Sequence, residues 1–389
     1  MRREPVYLDH AATTPVAESV ISAMLPYFGE RFGNASSLHA FGRRAAAALD
    51  EARATVACAI GARSGEIVFT ASGTEANNLA LRGVAFAARR QGKGQHLITS
   101  AVEHQAVAAT VSQLREWFGF EVTILPVDRF GMVDPDDVRR ALRRDTVLVS
   151  VMLANNEVGT LQPVREIGAL CRERGILFHT DAVQAPAYMP IDVSALNADL
   201  LALSAHKFYG PKGVGVLYIR EGTPYMPPIT GGGHERGRRP GTVNVAGAVG
   251  TAAALRMVQR EQELHVARLA RLRDRLINGV LERVPEVQLT GHPTQRLPNH
   301  ASFVFQGVDG ESLLMALDVE GFAVSTGSAC SSGNPEPSPV LLAMGFTPEW
   351  AIGSLRVTLG YATTEAEVDA FLDVLPECVT RVRLALAEA

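Results

Sequence analysis

The sequence predicts an α/β protein with a large, mostly parallel sheet covered by helices, followed by a smaller α+β region. Three observations carry this. From Glu66 to about Ile219, short apolar runs alternate with stretches of 3.6-residue periodicity. Most of those runs are continuously apolar rather than alternating, the pattern of strands buried on both faces. After Thr242 the pattern changes to one long charged helical stretch and then shorter, mixed elements.

In chain order, the predicted strands of the first region are "EIVFT" (66–70), "HLITS" (96–100), "EVTILPV" (121–127), "TVLVSVML" (146–153), "ILFHT" (176–180), "LLALS" (200–204) and "VGVLYI" (214–219). Helical periodicity fills most gaps, as in "EANNLALRGVAFAARR" and "PVREIGALCRERG". The last run follows its predecessor closely, so one antiparallel pairing is expected there. A helix is predicted over about 245–283. Beyond it "EVQLTG", "ASFVF", "FAVST" and "LRVTLG" read as strands, with helices at about 310–320, 338–345 and 364–387. A large domain over 15–255 and a small one from 1–14 and 256–389 are expected.

Composition narrows the function. The net charge is −4, with no basic tail of the kind that binds nucleic acid directly. No apolar run approaches the roughly 20 residues that span a bilayer. The N-terminus has basic residues but no apolar core behind them, so no signal peptide is expected. "RRAAAALDEAR" (43–53) reads as a solvated helix face. The four cysteines, Cys58, Cys171, Cys330 and Cys378, form no C-x-x-C pair, which disfavours a zinc site or a thioredoxin-like motif. Such usage fits a reducing cytoplasm. Cys58, Cys171 and Cys378 fall in helical patterns and read as buried structural thiols. Cys330 differs: it lies among small residues and prolines in "STGSACSSGNPEP".

In open α/β sheets, ligands bind beyond the carboxyl ends of the strands. After the first run comes "ASGTEANN", a small-residue turn into a helix that suits a phosphate. His104 follows the second run, and Asn155, Asn156 and Glu157 follow the fourth. Asp181 and Gln184 follow the fifth, and Ser204, His206 and Lys207 end the sixth. Alone, each is ordinary; Asp181, for instance, suits a helix N-cap. Together they suit pyridoxal 5'-phosphate. That cofactor requires a lysine for a Schiff base, a carboxylate at the pyridine nitrogen, a phosphate cradle and a flat group over the ring. No P-loop, G-x-G-x-x-G after a strand, H-E-x-x-H or G-x-S-x-G competes.

The chain resembles the cysteine desulfurases of the NifS/IscS type, in the class V aminotransferase family of fold-type I pyridoxal phosphate enzymes. The matching stretches run in order from "YLDHAATTP" (7–15) through "GNASSLHAFGRRA", "FTASGTEANN", "EHQAV", "NNEVGTLQP", "HTDAVQ", "SAHKFYGPKGVG" and "GGGHERGRRPGTVNV" to "STGSACSSG" and "LRVTLG" (355–360). This resemblance implies that Lys207 carries the cofactor, Asp181 binds the ring nitrogen, Gln184 the ring hydroxyl, and His104 stacks on the ring. It implies that Gly73, Thr74, Ser204 and His206 hold the phosphate, with Thr242 reaching it from a partner subunit in a homodimer. Asn155 is implied in cofactor binding and, with Arg356, at the substrate carboxylate; without the resemblance, Arg356 reads as a structural ion pair. Cys330 would take sulfur from L-cysteine as a persulfide, leaving alanine, and pass it to an iron–sulfur scaffold, a tRNA-thiolating enzyme or another acceptor. A selenocysteine lyase or other class V aminotransferase-like enzyme, and an inactive interaction module, are the alternatives. Two departures stand out: the glycine of the phosphate loop is shifted, and His234 replaces the usual glutamine.

Overall fold

The computed structural model describes residues 5–327 and 336–387; Cys330 lies outside the described residues. The chain opens with strand β1 (Val6–Tyr7), helix α1 (Glu18–Met24) and helix α2 (Ala40–Ala59). Strand–helix alternation follows: β2 (Ile67–Thr70), α3 (Gly73–Gln91), β3 (His96–Ser100), α4 (Gln105–Phe118), β4 (Glu121–Leu125), α5 (Pro135–Ala141), β5 (Thr146–Ser150), α6 (Val164–Glu173), β6 (Leu177–Asp181), β7 (Leu200–Ser204) and β8 (Gly215–Ile219). Helix α7 (Val245–Arg283) leads to β9 (Val287–Leu289), β10 (His300–Phe305), α8 (Gly310–Val319), β11 (Phe322–Ala323), α9 (Pro339–Ala343), α10 (Pro348–Ala351), β12 (Ser354–Thr358) and α11 (Glu365–Ala387).

The large sheet has the order β2-β8-β7-β6-β5-β3-β4. Strands β3 to β7 pair in parallel, and β8 is antiparallel to both of its neighbours, β2 and β7. The close spacing of β7 and β8 foreshadowed one antiparallel pairing; inserting β8 between β7 and β2 makes two. Strands β5, β7 and β8 are buried along their whole length, so their sequences need no alternation. Edge strand β4 is exposed at Glu121 and Ile124, and only Leu125 is buried. All five parallel strands and β2 deliver their carboxyl ends to the same edge.

The second region has a three-stranded antiparallel sheet, β12-β10-β9, and a two-stranded parallel pair, β1-β11. "FAVST" forms only the two residues of β11, because its continuation turns to bridge Ser325 with Arg356. Helix α10 was not anticipated; with four residues it is too short for a periodic signal. Helix α7 is continuous through residue 255, and its two ends are buried by different groups of residues, Val245–Val258 and Leu269–Val280. Phe303, Phe305 and Phe371 are fully buried in a core shared with Phe178 and Phe208 of the large sheet region. Each such side chain contributes about 2–3 kcal/mol by leaving water.

Two expectations about α2 need correction. Cys58 is exposed, not buried, because it falls between the inward positions Ala57 and Ala59 on the outer side of the helix. Arg43 and Arg44 are solvated as expected, but Arg53 is buried in an ion pair. Cys171 and Cys378 are buried, and burial pushes the Cys171 thiol up to about 12. A thiol reagent should therefore modify Cys58 in the folded protein and reach Cys171 and Cys378 only after unfolding. Mass spectrometry of alkylated peptides checks this; rapid modification of Cys171 in the native state would contradict the packing.

Candidate active site

A cavity of about 320 Å³ lies at the carboxyl edge of the large sheet, within the usual size range of small-molecule sites. It is lined by residues from five strand ends, and also by Ala11 and Ala12, Gly327 and Arg356. Of the residues singled out from sequence, Gly73, Thr74, His104, Asp181, Gln184, Ser204, His206, Lys207 and Arg356 meet there.

One end suits a phosphate. Ser72 caps α3, its Oγ accepting from the Glu75 N–H at 3.0 Å. The first-turn N–H groups have no acceptor within the helix; Gly73 and Thr74 bring such groups to the cavity wall, at the positive end of a 19-residue helix. A side chain at Gly73 would fill this cradle: its Cβ would fall 2.9 Å from Val183 Cγ2 and 3.1 Å from Ser204 Cβ. Glu75 is drawn away by Arg239, whose Nε is 2.8 Å from Oε1. His206 contacts Thr13 Oγ1 at 3.1 Å, and burial, helped by Lys207 and Lys212, lowers it to about 4, so it is neutral near pH 7.

The other end suits a ring with a basic nitrogen. Asp181, the last residue of β6, is buried; Oδ1 accepts from the Val183 N–H at 3.0 Å and Oδ2 from Asn77 Nδ2 at 2.6 Å. Burial raises its pKa, so a cationic partner in the cavity would be strongly favoured. His104 caps α4, with Nδ1 accepting from the Ala106 N–H at 3.0 Å; burial lowers its pKa and leaves a neutral ring against the cavity. Lys207 ends the short helical turn Ala205–Lys207 that follows β7, and Nζ donates to the carbonyls of Ala11 and Ala12, at 2.5 and 2.8 Å. Gln184 Nε2 donates to the Ala11 carbonyl at 3.0 Å.

Arg356 is both an ion pair and a cavity residue. Nη2 lies 2.8 Å from Asp9 Oδ1, and Nη1 donates to the Asn156 carbonyl at 2.9 Å. Its buried Nε has no protein partner among the described residues. Asn155 does not line the cavity. Its Oδ1 accepts from the N–H groups of Glu157 and Val158, and Nδ2 donates to the Val102 carbonyl with Met152 Sδ beside it. The side chain is fully buried and spent on shaping its own turn; Asn156 lines the cavity instead. Thr242 is exposed and does not line this chain's cavity. Sequence reasoning missed Asn77 and the Ala11–Ala12 carbonyls. Asn77 sits four residues after Gly73 on α3, hence on the same face. The carbonyls leave no side-chain signature.

A lysine, a buried carboxylate beside the cavity and a helix-terminus cradle that a Cβ at Gly73 would crowd are features pyridoxal phosphate requires, so the residues fit that cofactor. Glu103, which precedes His104 in the chain, is also buried. Its Oε1 accepts from Ser100 Oγ at 2.6 Å and the Met152 N–H at 2.9 Å, while Oε2 has no partner among the described residues. Burial pushes it up to about 8, against about 4.5 when exposed. The folded state thus keeps a proton that the unfolded chain releases, and stability falls as pH rises from 4.5 through 8. Urea unfolding of the cofactor-free protein should show a loss of about 2 kcal/mol between pH 6.5 and 8. Glu103→Gln should remove that slope; an unchanged slope would place its origin elsewhere.

Comparison with known proteins agrees with this geometry. Residues 6–371 match the family model described as aminotransferase class-V. The chain is 52% identical over 383 residues to cysteine desulfurase IscS of Dictyoglomus turgidum, covering 98% of this chain and 96% of the relative. A solved structure described as a NifS-like protein superposes with a TM-score of 0.90 at 37% identity, covering 97% of this chain and 100% of the other. SspA, solved in complex with cysteine, gives a TM-score of 0.80 at 35% identity, with coverages of 91% and 98%. The chain belongs to the aminotransferase class-V family, among the pyridoxal phosphate-dependent cysteine desulfurases of the IscS/NifS type.

Proposed function

We propose that this protein removes sulfur from L-cysteine, leaving L-alanine, and holds that sulfur on Cys330 as a persulfide. The observation that carries the reading is that Gly327, three residues before Cys330, lines the same cavity as Lys207, Asp181 and Arg356. We assign cofactor binding to 15–255 and the carriage of Cys330 to the part formed from 1–14 and 256–389.

When bound, the cofactor supplies an electron sink for charge developing at the substrate α-carbon. The rest falls to the chain. Gly73, Thr74, Ser204 and His206 bind the phosphate, and Asp181 holds a proton on the ring nitrogen. Gln184 meets the ring hydroxyl. His104, neutral and flat, covers the ring. Arg356 binds the substrate carboxylate, a planar anion suited to its guanidinium fork, while Asp9 fixes the orientation of that fork. Nζ of Lys207 takes the α-proton and returns it during the reaction. Cys330 attacks the substrate sulfur: an S–S bond forms, the Cβ–S bond breaks, and a proton replaces sulfur on Cβ. L-cysteine and a thiol thus become L-alanine and a persulfide. A thiol of an acceptor protein then takes the outer sulfur; an iron–sulfur scaffold or a tRNA-thiolating enzyme fits this chemistry.

A homodimer is part of the proposal. Leu25, Phe28, Phe32 and Leu38 are 61%, 68%, 67% and 90% exposed, a concentration that favours a covered face. Ser36 Oγ in this segment lies 3.2 Å from His234 Nδ1, on the loop that carries Thr242. Exposed Thr242 is then available to complete the phosphate site of a second copy. A cytoplasmic location is supported by the free thiols Cys58, Cys171 and Cys378; no helix among the described residues is long and apolar enough to cross a membrane.

Purified protein loaded with cofactor should be yellow and should release alanine and sulfide from L-cysteine with a thiol reductant. Lys207→Ala should abolish turnover, and Cys330→Ala should reduce sulfide release by about a hundredfold or more. Full sulfide release by Cys330→Ala would sink the persulfide step, and turnover by Lys207→Ala would remove the proton-carrier assignment.

A further inference from the structure

The most buried ion pair among the described residues lies outside the cavity. Arg53 Nη2 and Nη1 meet Glu235 Oε1 and Oε2, each at 2.7 Å, with side chains 5% and 1% exposed. Glu235 Oε2 also accepts from the Phe69 N–H at 2.8 Å, and Arg53 Nη1 donates to the Ile67 carbonyl at 2.7 Å. The guanidinium lies over the Phe69 ring, 5.1 Å from its centroid. The pair thus ties α2, β2 and the 231–244 loop together at one point.

The loop is strained at that point. Glu235 and Arg236 have φ of 48° and 57°, the left-handed region that side chains disfavour, and Gly237 continues it at 77°. A second tie follows at Arg239, which grips Glu75 in the first turn of α3. Thr242 comes three residues later, exposed and away from its own cavity. Stability alone explains this poorly, because an apolar pair of similar volume generally stabilises as well as a buried ion pair. A bidentate pair instead fixes direction, and here it fixes the direction of a strained turn leading to Thr242.

We propose that Arg53 and Glu235 are positioning residues that act across the dimer, aiming Thr242 at the cofactor phosphate bound by a second copy. This rests on the shared-site reading above. It predicts that breaking the pair harms the neighbour's cofactor site more than its own.

Mixed dimers of differently tagged chains test it, each carrying Glu235→Gln once and Lys207→Ala once. In the first dimer the substitutions are on different chains. Its one lysine-bearing site belongs to the Glu235→Gln chain and receives Thr242 from an intact loop. In the second, both are on one chain, so the lysine-bearing site belongs to the wild-type chain and receives Thr242 from an unpinned loop. The readout is equilibrium binding of pyridoxal phosphate, followed by the absorbance of lysine-bound cofactor, with pyridoxal lacking the phosphate as the control. The first dimer should bind pyridoxal phosphate within about twofold of wild type. The second should bind it about ten- to a hundredfold more weakly, the loss of one hydrogen bond to a charged group, while both bind pyridoxal alike. Equal affinities, the reverse order, or an equal loss for pyridoxal would overturn the proposal. If Glu235→Gln chains fail to assemble, Arg53→Met with Glu235→Leu fills the same space without charge, and the same order is expected. A loaded wild-type chain that is monomeric would remove the shared-site reading, and the positioning role with it.

Discussion

The site depends on one close approach. Gly215 begins β8 between Thr70 of β2 and Ser204 of β7, and any Cβ there would fall 2.3 Å from the Ser72 carbonyl oxygen. Only glycine lets the three chain segments close to that distance. Their closure sets the α3 N-terminus beside the Ser204–Lys207 turn. A helix terminus suited to a phosphate, at Gly73, and Lys207, 134 residues further on, therefore share one cavity wall. The antiparallel β8 serves as a spacer, so that β2 runs in the same direction as the parallel strands and ends at the same edge.

Much of this was legible in the sequence, for physical reasons. Strands buried on both faces leave continuous apolar runs, and the polar residues that interrupt them at carboxyl ends stand out. Asp181, His104 and Lys207 were visible that way. What escaped has no side-chain periodicity or depends on tertiary pairing. The carbonyls of Ala11 and Ala12, which accept from Lys207, look like any main chain. Asn155 and Asn156 are neighbours of one type, and only the fold decides that the first turns inward to its own loop. Cys58 and Arg53 lie on a helix whose apolar residues are mostly alanines, so its buried face is weakly marked and both were assigned to the wrong side.

Several charges of the polar interior are paired or absent, although buried Arg296 is held, among the described residues, only by the carbonyls of Val158 and Thr290. Arg356 is matched by Asp9 and Arg53 by Glu235. His179, bonded to Ser150 Oγ, is pushed by burial to about 3, and His10 to about 4, so both are neutral. Glu103 keeps its proton. Around Asp181 this leaves few competing fixed charges, and an arriving cationic ring meets an anion whose alternatives for neutralisation are poor. The field at the cavity is set by what the surroundings lack as much as by what lines the wall.

Helix α7 bears on how the two sheet regions can move. It is 39 residues long, about 58 Å of continuous helix, and has no glycine or proline between Thr251 and Asn278. One end packs in the large sheet region and the other against α11, where Gly279 leaves room for the end of the Leu372 side chain. A beam of that kind has no natural bending point. Large relative rotation of the two regions would have to break the beam's own hydrogen bonds. Relative motion must then come from short connecting segments rather than from a swinging domain.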